Sequence, residues 1–169
     1  MAFDPQFAIV TPEAIPDNLL AFIADATRQK EALTLAGLSS LKLIKNRTST
    51  VANRLNPVYP SIAFVDDNDA ADYAEDVIQS AYSATFEVSI QHKNPDVAVS
   101  QARIYRRALK LLIRNIPDAD VLTDTGCTTA VLQTMEGGFD AIKTNEKQND
   151  FLQTFQLRMT YTLTASAYQ

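Results

Sequence analysis

The sequence is poor in the residues on which most catalysis depends. Its 169 residues hold one cysteine, one histidine, four glycines and no tryptophan. A zinc site built from cysteine and histidine needs more ligands than that. A lone cysteine forms no intrachain disulfide and reports nothing about redox compartment. Cys127 and His92 are the one conceivable thiol–imidazole pair. Both have ordinary explanations, because His92 closes a strand-like run and Cys127 is a small residue in a threonine-rich segment. Gly37 and Gly126 stand alone, so there is no glycine loop to cradle a phosphate, and Gly137-Gly138 reads as a hairpin turn. The sequence therefore assigns no catalytic residue, no metal ligand and no cofactor. An enzyme reading would rest on carboxylates alone, through a metal-dependent activity at Asp66, Asp67 or Asp69.

Long apolar runs are also missing. Nothing approaches the roughly 20 residues needed to span a bilayer, so no membrane partner is expected. The start, MAFDPQFAIVTPEAIPDN, has neither a basic region nor an apolar core of the secretory type. Apolar residues make up 46% and charged residues 21%, which is ordinary for a globular protein. The length predicts one domain over 1–169 with a core large enough to need no staples. A net charge of −5 argues against non-specific nucleic-acid binding as the main task.

Charge of one sign is absent from two stretches. No lysine or arginine occurs between Arg54 and Lys93, a span that contains Asp66, Asp67, Asp69, Asp72, Glu75 and Asp76. This pattern predicts a solvated acidic connection. A calcium loop fails on spacing. Counted from Asp67, Asp72 stands where an EF-hand needs glycine and Ile78 where it needs glutamate. Conversely, no acid lies between Val97 and Pro117, where Arg103, Arg107, Lys110 and Arg114 recur at helical spacing. Like charges at that spacing repel by a few tenths of a kcal/mol per pair. The stripe is either a solvated face or a surface for an anionic partner.

The periodic segments give the elements. PDNLLAFIADATRQKEALTLAG predicts a helix over about 17–36, stopped by Gly37. LKLIKNR (41–47) and YPSIAFVDD (59–67) predict strands. In ATFEVSIQH (84–92) Ala84, Phe86, Val88 and Ile90 alternate with polar residues, as in a half-buried strand. Asn94 as cap, Pro95 at the first helical position and Pro117 beyond the end frame a long helix. Its apolar side carries Val97, Ile104, Tyr105, Ala108, Leu111, Leu112 and Ile116, opposite the basic stripe. The remainder reads as β: DADVLTD, TTAVLQTM, FDAIKT, the polar loop NEKQND, and a last strand. In that strand Phe155, Leu157, Met159, Tyr161, Leu163 and Ala165 alternate with Gln156, Arg158, Thr160, Thr162 and Thr164.

This order predicts an α+β fold, a mainly antiparallel sheet over about 41–168 with two helices packed on one face. The other face, with Arg158 and the threonines, is left for water or another subunit. The acidic connection and the basic stripe would either pair within one subunit or make a head-to-tail contact between subunits, and such contacts close into rings. The last strand, longer than its neighbours, is expected to offer unpaired backbone to the next chain.

YPSIAFVDD, ATFEVSIQH, the turn NPD, the helix VAVSQARIYRRALKLLIRNIP and the strand FQLRMTYTL together resemble the tail terminator (tail completion) proteins of long-tailed bacteriophages. The shared positions are Tyr59-Pro60, Asp96 and Tyr105-Arg106-Arg107-Ala108-Leu109, and the resemblance covers roughly 59–165. It implies a structural virion protein, made in the host cytoplasm, that forms a hexameric ring on the last ring of tail-tube subunits. Such a ring stops tube polymerisation and faces the neck of the DNA-filled head. It also implies that DNA passes without sticking, with Asp66, Asp67, Asp69, Asp72, Glu75 and Asp76 as lumen or interface candidates. Arg103, Arg107, Lys110, Arg114 and Arg158 become candidates for the subunit interface. Another neck or head–tail connector protein fits the same features, and a nucleic-acid-binding protein using the basic stripe is the reading from a different class.

Overall fold

A computed structural model describes residues 10–37, 41–46, 58–74, 77–145 and 149–166. Helix α1 (Ile15–Ala24) follows a short 3-10 turn at Pro12–Ala14, and helix α2 (Ala26–Leu35) follows α1 directly. The helix expected over 17–36 is thus two. Asp25 breaks it by turning extended (φ −64°, ψ 117°), and its Oδ1 accepts the Arg28 N–H at 2.8 Å. A carboxylate capping a new N-terminus competes well with one more helical residue. Gly37, at φ +104°, ends α2 as expected.

Strands β1 (Lys45–Asn46), β2 (Ser61–Ala74) and β3 (Val77–His92) come next, then helix α3 (Pro95–Arg114). Asn94 caps α3 by accepting the N–H groups of Asp96 and Val97 at 2.9 and 3.3 Å. A short helix α4 (Asp118–Leu122) then leads to strands β4 (Thr129–Phe139), β5 (Lys143–Asn145) and β6 (Asp150–Ser166).

Three expectations are corrected here. DADVLTD is helical where a strand was expected. Pro117 starts a new turn, Asp118 and Asp120 favour its N-terminus, and Val121 is buried beneath it. Gly137 and Gly138 lie inside β4, opposite Leu157 and Gln156, where a turn was expected. Finally, the acidic stretch is no connection. Asp66, Asp67, Asp69 and Asp72 belong to β2 and pair in register with Thr85, Ala84, Tyr82 and Gln79 of β3. The strand expected over 41–47 is formed only at Lys45–Asn46, and Arg47 lies outside the described residues.

The sheet runs β1-β2-β3-β6-β4, with β5 beside β6, and every pairing is antiparallel except β1 with β2. The long last strand is therefore central. β3 pairs with it from Phe151 to Ser166, while β4 and β5 cover most of its other side. Its length is used within the chain, and the expectation that it offers free backbone to another subunit is overturned. Among the described residues, the edges without a neighbouring strand are β2 beyond Ile62 and the outer side of β4.

One apolar core fills the space between the sheet and α1, α2 and α3. The inward residues of β6, from Phe155 through Ala165, are 0–2% exposed, while Gln156 and Arg158 are exposed on the far side. The α+β class and the alternation that predicted it both hold.

Candidate assembly surfaces

Helix α3 lies across β6 and β3 with β4 at its margin. Ala98, Ala102, Tyr105, Ala108, Leu109, Leu112 and Ile113 face the core. Helical spacing then forces Arg103, Arg107, Lys110 and Arg114 onto the opposite side. Three of them are exposed and Lys110 is half-buried.

Arg106 joins this set, although the stripe alone did not select it. Its guanidinium lies 4.0 Å from the centre of the Phe139 ring, and Nη1 donates to the Gly137 carbonyl at 3.2 Å. Gly137 permits that approach. A Cβ there would stand 3.1 Å from Arg106 Cδ and 3.2 Å from Leu157 Cδ2. Arg107 donates to the carbonyl of Ala36 at the end of α2, where a cation complements the helix dipole.

These side chains border an open groove of about 440 Å³, with Ile104 and Leu111 as its apolar part and no carboxylate along it. Among the described residues the one ion pair is Arg28 with Asp120, at 3.9 Å, and it involves none of the groove cations. A second groove of about 370 Å³, between α2 and the end of α3, shares Leu111 and includes Leu35, which is 72% exposed.

The acidic candidates sit at the other margin of the sheet. Strand pairing divides them. Tyr82 donates to Asp67 at 2.7 Å, and Ser80 donates to Asp69. Burial first, and then this carboxylate, push the Tyr82 phenol well above its ordinary pKa. Asp66 stands opposite Thr85, which stands opposite Arg158, which stands opposite Glu136, so one row crosses four strands. Asp66 and Arg158 border a shared concavity of about 290 Å³ without forming an ion pair. Asp72 faces Gln79 in register, while Glu75 and Asp76 lie outside the described residues.

The structure thus gathers Arg103, Arg107, Lys110 and Arg114, and puts Arg158 on the opposite face of the sheet. It also reveals a bulge. Register shifts between Phe64 and Asp66, so Val65 has no partner on β3 and is 49% exposed. The sequence signal for it is slight: Val65 continues an apolar run into the aspartates.

Cys127 and His92 do not meet. His92 pairs with Phe151 at one end of β6, and Cys127 precedes Thr128, which is bonded to Thr164 at the other end. The separation along the strand is roughly 40 Å at about 3.3 Å per residue. The Cys127 thiol is pushed above its ordinary pKa by burial. Among the described residues no group of three His, Cys, Asp or Glu side chains is placed to hold a metal ion. No described helix is long and apolar enough to cross a membrane.

No protein-family model matches the chain, and no curated protein matches it. It is similar to one chain of a solved structure titled "Virion of native gene transfer agent (GTA) particle". That similarity has 13% identity, covers 94% of this chain and 96% of that one, and has a TM-score of 0.41.

Proposed function

We propose that this protein is a structural virion component, a ring-forming tail terminator that caps a phage tail tube, stops its growth and joins it to the neck. The observation that carries the reading is a separation of charge. The cations of the α3 groove have no carboxylate partner among the described residues, and the carboxylates of β2 lie at the opposite margin of the same sheet. Strands β3 and β6 stand between β2 and β4, which puts those margins roughly 14 Å apart at about 4.8 Å per strand. Two complementary patches that cannot close on themselves satisfy each other between copies. A contact of that kind is heterologous and generates a ring when the rotation closes.

The sequence resemblance over 59–165 supplies the kind of ring. The outer face of β6 carries Thr160, Thr162 and Thr164, and its one cation, Arg158, stands in a row with Asp66 and Glu136, an arrangement that suits a lumen that must not hold phosphate. The test is to add the purified protein to growing tail-tube subunits and image the products. Tubes that stop at the ends where a ring has bound support the reading. A protein that ignores tubes and binds the portal or its adaptor is a neck connector instead.

A further inference from the structure

The basic groove identifies what fills it. We propose that the Val65 bulge of one copy seats in the α3 groove of the next, with Val65 against Ile104 and Leu111 and the Asp66 carboxylate among the guanidinium groups. This rests on the ring reading and adds the contact that closes the ring.

Three observations converge. First, the groove combines an apolar strip with cations and, among the described residues, no carboxylate, which suits an anionic occupant with an apolar residue beside the charge. Second, Val65 is an unpaired, half-exposed apolar residue directly followed by Asp66 and Asp67, both exposed. A bulge re-aims the side chain it carries. Third, among the described residues β1 pairs with Ser61 and Ile62 alone, and no described strand lies beside Val65 on that side. Complementary rim charge steers such an encounter and sets its register.

The rival explanation is that the aspartates only keep β2 from pairing with other strands. Edge charges of either sign do that, lysine above all. The two accounts therefore separate on a reversal of sign. Asp66→Lys protects the edge equally well, and under our proposal it weakens assembly at least tenfold in the concentration required. Arg103→Glu with Lys110→Glu does the same, and joining all three substitutions in one chain restores much of the loss.

A disulfide reports the contact itself. Two chains are prepared in a Cys127→Ser background, one with Val65→Cys and one with Leu111→Cys, then mixed under assembling conditions and oxidised. A covalent dimer from the mixture, and from neither chain alone, is the expected result. Rings of unchanged mass that neither cross-link nor respond to the charge reversals would overturn the proposal and leave the ring reading standing. Failure to assemble with or without tail tubes removes both. Duplex DNA binding that is steep in salt and lost in Arg103→Glu, with rings unaffected, would assign the groove to nucleic acid and also overturn it.

Discussion

The side chain of Gln29 pairs with the backbone of Ile44 as a neighbouring strand would. Its Oε1 accepts the Ile44 N–H at 2.7 Å, and its Nε2 donates to the Ile44 carbonyl at 3.1 Å and to the Ile23 carbonyl at 2.7 Å. Gln29 is 2% exposed, so these bonds form away from water. They tie α1, α2 and the segment before β1 into one unit, and they satisfy a stretch of chain that has almost no sheet of its own.

Gln29→Leu keeps the volume and removes all three bonds. The Ile44 amide and the two carbonyls would then be buried unpaired, at about 1–3 kcal/mol for each group left unsatisfied. We expect a loss of at least about 3 kcal/mol, read as a lower urea midpoint with an unchanged slope.

Tyr105 and Tyr161 predict alkaline unfolding. Burial raises both phenols from 10.0 to about 12, with Asp118 adding to the effect at Tyr161. Between those values the unfolded chain loses protons that the folded chain keeps. Stability is full below pH 10 and falls as pH rises towards 12, by about 1.4 kcal/mol per pH unit for each such group. Urea titrations from pH 8 to 11.5 should show this slope, and Tyr161→Phe should flatten it.

The same two tyrosines should differ at neutral pH. The Tyr105 hydroxyl donates to the Lys42 carbonyl at 2.6 Å, whereas the Tyr161 hydroxyl is buried with no partner among the described residues. Tyr105→Phe should cost about 1 kcal/mol, and Tyr161→Phe should be neutral or slightly stabilising. Thermal melts of the two variants side by side decide it.

Gly137 and Gly138 should respond oppositely to alanine. At Gly137 the new Cβ meets Leu157, a fully buried neighbour with little room to move, and Arg106. At Gly138 nothing lies within 4 Å. We expect Gly137→Ala to destabilise by about 1 kcal/mol, and Gly138→Ala to stabilise by a few tenths through the unfolded chain. Chemical denaturation of both variants measures the contrast.

Much of the fold was legible because its signals are local. The alternation of β6 and the Asn94–Pro95 start of α3 need no partner to be read. Apart from the local cap at Asp25, the failures depend on something distant. Asp25 breaks a good helical pattern because its carboxylate finds the Arg28 amide. The aspartates of β2 look like a loop until Tyr82 and Ser80 supply donors across the strand pair. Gly137-Gly138 looks like a turn until Arg106 is seen crossing above it. The length of β6 was read correctly, but its place in the sheet was not, because strand order is invisible to periodicity. In the candidate surface, the four stripe cations followed from helical spacing. Arg106 and the Val65 bulge did not, since one depends on Phe139 and the other on register.

The measurement that tests the account most directly is the mass of the protein in solution, by light scattering behind a sizing column over a range of concentrations, with and without tail tubes. The account predicts a hexamer, formed by the protein alone or on addition of tubes. A monomer that stays a monomer at every concentration and ignores tubes would contradict it.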